Sequence, residues 1–251
     1  MRVPGSPEPP RTPARTLQPD ASATPHPADP LTTDTVTRIV LRPIASLLPL
    51  GFFALGMGSA VLSTLQLCWV PLAQSGVLLL LLLIFVVPLQ FVAGLFAFVA
   101  RDAGAGTALL LLSAAWAGTS VTSLSSPPGE PLVAQAVFLL ALVPFVLALA
   151  GASAQSEPLF AVLLCLTAVR FGLTGLYEAG LGSTLQVAAG WTGIGIGAYA
   201  LYSGLALLVE DGKQRTVLPL FRRGAARTSI EGGLREQLTA AQQDAGVRHQ
   251  L

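Results

Sequence analysis

Residues 189–219 read AGWTGIGIGAYALYSGLALLVEDGKQRTVLP, an apolar helix ribbed with glycine that runs into an abrupt polar stop. No charge occurs from Leu185 to Leu208. At 1.5 Å per residue, a helix of that length crosses the roughly 30 Å hydrocarbon core of a bilayer with some tilt. Glu210, Asp211, Lys213 and Arg215 are predicted to end the span. Ala189, Gly193 and Gly197 recur every four residues, and Gly190 adds to them, so one face is a groove without side chains. Another helix backbone can approach closely there, and Gly190, Gly193 and Gly197 are read as helix-packing positions.

Composition extends this reading to the whole chain. Apolar residues make up 53% and charged residues 11% of the 251, against roughly a quarter charged in soluble domains. The chain is therefore expected to be an integral membrane protein. Its formal charge is +1, and between Pro43 and Gly212 only Arg101 and Arg170 are basic. No nucleic-acid surface is indicated. Cys68 and Cys165 stand in apolar runs without metal-ligand spacing and are read as packing residues. His26 and His249 lie outside the membrane part, so no metal and no cofactor is expected.

Taken in order, Met1 to Arg42 is crowded with Pro, Thr, Ala and Asp and has no apolar core suited to a signal peptide, which predicts a disordered tail. Spans are expected at about 44–68, 77–100, 107–124, 133–150, 159–177 and 185–208. Trp69 sits where an interfacial anchor belongs. Gln90 is a polar group at membrane depth, and such a side chain needs a hydrogen-bond partner, so it is expected to face the bundle interior. Pro144 should kink the fourth helix. The fold class is thus an all-α membrane protein, a six-transmembrane-helix bundle. Residues 1–42 form a Pro-rich tail, 43–211 the transmembrane domain and 212–251 a polar tail.

Orientation follows from the basic residues. With the amino terminus inside, the loops around Gln74, Pro128 and Gly180 lie outside and carry no Lys or Arg, while Arg101 and the cluster Lys213, Arg215, Arg222, Arg223 and Arg227 fall inside. By the positive-inside rule both tails are expected to be cytoplasmic and the protein to sit, multi-pass, in the cell membrane.

Several stretches carry a family likeness. Ala189-Gly190-Trp191, Gly193, Gly197-Ala198, Ala200 and Tyr202 spell A-G-W-x-G-x-x-x-G-A-x-A-x-Y, and Arg215 to Pro219 spell R-T-V-L-P. Gln90, Ala93, Gly94 and Leu95 spell Q-x-x-A-G-L, and Pro49-Leu50-Gly51 gives half of N-P-x-P-L-G-L. The chain resembles the acetate uptake transporter family, which includes bacterial acetate/succinate permeases and yeast acetate and ammonia-export proteins. Departures are plain: Ser46-Leu47 replaces Asn-Pro, and in Y-G-x-F-W only Trp116 remains, with Leu112 for the tyrosine and Ala115 for the phenylalanine.

The resemblance implies a homohexameric ring in which each protomer has its own pore. It further implies an apolar constriction from helices one, three and five, at Leu55 (aromatic in relatives), Leu112 (tyrosine) and Leu166 (leucine). The alternative is that these are ordinary core leucines. Arg170 is not part of the likeness. It stands about twelve residues into the fifth helix, slightly beyond mid-membrane, and an intramembrane charge is expected to face water, a pore or a partner. With Thr167, Thr174 and Glu178 it is read as an anion-attracting vestibule, or else as an arginine that snorkels or pairs with Glu178.

No paired carboxylates, HExxH, Walker loop or nucleophile beside a histidine occur, so no enzyme is expected. The resemblance implies movement of a small monocarboxylate such as acetate, and within the family succinate, passively or coupled to protons. Two other readings stay open. An apolar constriction suits neutral solutes such as urea or short amides, and long tails suit a membrane scaffold that transports nothing.

Overall fold

Six stretches are long and apolar enough to cross a membrane, and all six are helical in the computed structural model, which describes residues 46–155, 157–213 and 218–219. They are α1 (Leu48–Gln66), α2 (Leu72–Val99), α3 (Ala103–Leu124), α4 (Val133–Ser153), α5 (Pro158–Glu178) and α6 (Ser183–Lys213). With no water in the bilayer core to satisfy the backbone, a continuous helix is the economical way through. The protein is a multi-pass, all-α membrane protein. The tails expected at 1–42 and beyond Lys213, and their cytoplasmic placement, lie outside the described residues apart from Leu218 and Pro219.

Two boundaries move for physical reasons. α2 begins earlier than expected, with a 3-10 turn at Leu72–Gln74, and it widens to a π turn at Leu82–Val86 before continuing as Val87–Val99. Pro88 explains the widening. It has no N–H for the carbonyl four residues back, and its ring would strike that carbonyl, so the preceding turn opens. α6 runs on to Lys213, so Glu210, Asp211 and Lys213 ride on the helix and do not end it. None of the three is a helix breaker, and a lysine in the last turn suits the helix dipole.

Turns are short. Arg101 adopts φ 64° at the end of α2, and Asp102 then caps α3, its Oδ1 accepting from the Ala105 N–H at 2.9 Å. Gly180 and Gly182, with φ +84° and +115°, turn the chain from α5 into α6 at a conformation that other residues rarely adopt.

Each helix packs on its sequence neighbours, and α6 closes the ring against α1. The seam between α1 and α6 is built from the predicted glycines. A Cβ at Gly197 would lie 3.2 Å from the Gly56 carbonyl oxygen, and a Cβ at Gly190 would press on Leu67. The groove is therefore filled by another helix of the same chain. As a contact between protomers, which its small residues also suggest, it is spoken for.

The outer surface is apolar, with Ile84, Val133, Val137, Phe145 and Leu201 all exposed, as a lipid-facing surface requires. Cys68 and Cys165 are exposed too, so neither packs within the bundle core, which corrects their reading as packing residues. Trp69 is exposed and meets Trp191 edge-on, with ring centroids 5.8 Å apart.

Candidate functional site

Contacts along α1 fix the levels of its neighbours. Phe52 packs on Phe160 of α5 at 5.7 Å between centroids. Equal steps further along both helices, Gln66 Nε2 donates to Thr174 Oγ1 at 3.1 Å. The two helices are thus parallel, and Leu55 is level with Leu163. Likewise a Cβ at Gly51 would touch Leu109 and one at Gly58 would touch Trp116, which sets Leu112 of α3 within one residue of the same level.

Leu55, Leu112 and Leu163 are all buried and belong to one apolar cluster. Leu166 is only half-buried and lies about one turn further along α5. The resemblance selects Leu166 for the α5 position, whereas level and burial put Leu163 beside Leu55 and Leu112. In a leucine-rich helix, residue type alone does not distinguish the two.

Beyond the leucine layer lies a cavity of about 30 Å³, with Leu55 at one end. A volume of that size accepts one or two waters or a monatomic ion. Its polar lining comes from Ser59 on α1, Thr119 on α3, and Thr167, Arg170 and Thr174 on α5, with the Trp116 ring beside them.

Arg170 is only 4% exposed. Its Nη1 donates to the Ser59 carbonyl at 3.0 Å and its Nη2 to Gln66 Oε1 at 3.0 Å, while Gln66 is steadied by Thr174. The Ser63 hydroxyl also donates to the Ser59 carbonyl, at 2.7 Å. On the other side α6 makes room: a Cβ at Gly193 would collide with Ser63 Oγ and with the guanidinium itself. Gly193 is thus a packing glycine of a particular kind, since it shapes the socket of a buried charge.

Among the described residues no carboxylate pairs with Arg170. Glu178, expected on the same polar stripe, turns elsewhere. Its Oε2 accepts from the Leu132 N–H at 2.7 Å and its Oε1 from Gln135 Nε2 at 3.5 Å, so it tethers the start of α4 to the end of α5. Thr167 and Thr174 do border the cavity with Arg170. Guanidinium offers five donors, of which two are spent on α1; the remainder can serve an acceptor in the cavity. Among the described residues no cluster of His, Cys, Asp or Glu could hold a metal ion.

This architecture has a solved counterpart. The chain matches the structure of the bacterial acetate channel SatP with a TM-score of 0.63, at 21% identity over 70% of this chain and 99% of that one. The two share a fold. No protein-family model matches the sequence, and a search among curated proteins returns no match.

Sequence reasoning found Arg170 but not its acceptors. Ser59, Ser63 and Gln66 recur at helical spacing on one face of α1, which is the signal that could have marked a polar stripe opposite Arg170. Trp116 has a signal only as a motif residue, and Thr119 has none.

Proposed function

We propose that the protein moves a small monocarboxylate such as acetate across the cytoplasmic membrane, with Arg170 as the station that holds the anion. The carrying observation is a buried arginine that borders the cavity and has no carboxylate partner among the described residues. A buried charge without a counter-ion is costly by several kcal/mol, and the two-oxygen head of a carboxylate, about the size of the two waters the cavity accepts, supplies one. The fold shared with a bacterial acetate channel supports the same reading.

A second reading, passage of neutral solutes such as urea or short amides, is favoured by the leucine layer, which offers an ion nothing to replace its water. Both tails are placed in the cytoplasm on the distribution of Lys and Arg. The homohexamer rests on the family resemblance alone, and the particle mass in detergent checks it.

Uptake of labelled acetate and labelled urea into liposomes carrying the pure protein separates the possibilities. Acetate uptake above that of protein-free liposomes is expected, rising as external pH falls toward the pKa of the acid if the proton travels with it. Uptake of urea alone would shift the function to neutral solutes, and uptake of neither would leave a scaffold.

A further inference from the structure

Gln90 of α2 is completely buried, and neither its Oε1 nor its Nε2 has a hydrogen-bond partner. A carboxamide in that condition forfeits its bonds to water and receives nothing in return, which is destabilising. Groups of this kind are rare in native proteins and each requires an explanation.

Its position supplies one. A Cβ at Gly51 would touch Ala93 at 3.4 Å, and one at Gly58 would touch Val86 at 3.0 Å. α2 therefore runs antiparallel to α1, and Gln90 is level with Ala54 and Leu55. The same two glycines face Leu109 and Trp116, which brings Leu112 to that level as well. Gln90 thus stands at the height of Leu55, Leu112 and Leu163, where α2 meets α1 and α3, and Leu55 of that layer also borders the cavity, whose lining comes from α1, α3, α4 and α5. Ser113, the hydroxyl of α3 at this height, is committed to the Val87 carbonyl at 3.0 Å. No ionisable side chain occurs at this level on α1 or α3, where Ala54, Leu55, Leu112 and Ser113 stand.

We propose that Gln90 is the hydrogen-bonding station for the neutral carboxyl or amide group of a small solute crossing the leucine layer. The chemistry is that of a matched pair. A carboxamide presents a donor and an acceptor side by side, and a protonated carboxyl or a primary amide offers the complementary acceptor and donor. A carboxylate can accept from Nε2 but sets its charge against Oε1. Arg170 on the cavity side prefers the anion, and Gln90 in the layer prefers the neutral form, so the carboxylate takes a proton from water before it enters the layer and returns it to water afterwards; the proton crosses on the solute and no protein group has to titrate. This rests on the transport reading above.

Acetamide, neutral at every working pH, is the probe. Excess acetamide should raise the unfolding temperature of the purified wild-type protein and leave Gln90→Leu unmoved, while Gln90→Leu alone should be at least as stable as wild type. In liposomes, acetamide flux through Gln90→Leu should fall about tenfold, the value of one or two hydrogen bonds. Acetamide that stabilises both proteins equally, or neither, overturns the proposal. So does wild-type flux through Gln90→Leu, a result that leaves the transport reading intact. Selective stabilisation without any flux keeps Gln90 as a binding site and removes transport. If Gln90→Leu and the second variant Gln90→Met both fail to fold, the carboxamide is paired in the native protein and the proposal is wrong.

Discussion

Arg170→Gln should raise the acetate concentration needed for half-maximal uptake by about ten- to a hundredfold while urea uptake, if present, stays unchanged. Glutamine can still donate to the Ser59 carbonyl or to Gln66 Oε1, the two acceptors that Arg170 reaches at 3.0 Å each, so the bundle keeps its packing. What disappears is the charge and the fork of donors toward the cavity. Hydrogen bonds to charged groups contribute about 1.5–3 kcal/mol, which corresponds to one to two powers of ten in affinity. Arg170→Lys should recover only part of the loss, because an ammonium keeps the charge but cannot bridge two acceptors on α1 and still face the cavity. Tracer uptake by variants matched for insertion measures both. Unchanged carboxylate uptake by Arg170→Gln would return the arginine to a purely structural role.

Gly193→Leu should prevent recovery of folded protein. A single Cβ there already collides with Ser63 Oγ and the Arg170 guanidinium, so a leucine must push α6 away from α1 or drive the charge out of its socket. Overpacking is typically destabilising by about 1–3 kcal/mol, and disrupting a buried charge network by about 3–5 kcal/mol. Either is a large share of a marginal stability. Gly195→Leu is the matched control, because a Cβ at Gly195 meets nothing within 4 Å. The milder Gly193→Ala should be less harmful in an Arg170→Gln background than in wild type, since the shorter side chain can yield; a double-mutant cycle on unfolding in detergent reads that coupling. Gly193→Leu protein as stable as Gly195→Leu protein would show that the socket is loose.

The six spans were legible because apolar content sustained over the width of a bilayer is a strong signal, and each expected span overlaps one of the helices. Where the reading failed, the missing quantity was relational. Leu163 and Leu166 differ in height and in which way they face, and both depend on how α5 is set against α1. The bonds of Arg170 to Ser59 and Gln66 join helices about a hundred residues apart, so no local pattern contains them. The glycine groove of α6 was recognised as a seam, but one helix does not encode whether its partner belongs to the same chain. Glu178 looked like an extension of the Arg170 stripe from spacing alone. The unpaired N–H of Leu132, at the start of α4, decides otherwise by drawing the carboxylate toward itself.

Anomalous diffraction from crystals grown in bromide tests the anion station most directly, because a monatomic anion fits a cavity of about 30 Å³. A bromide peak is predicted within hydrogen-bonding reach of the Arg170 guanidinium, beside Trp116 and Thr119, and it should vanish in Arg170→Gln. Wild-type crystals with bromide bound elsewhere, and none against Arg170, would contradict the assignment of this cavity to an anion.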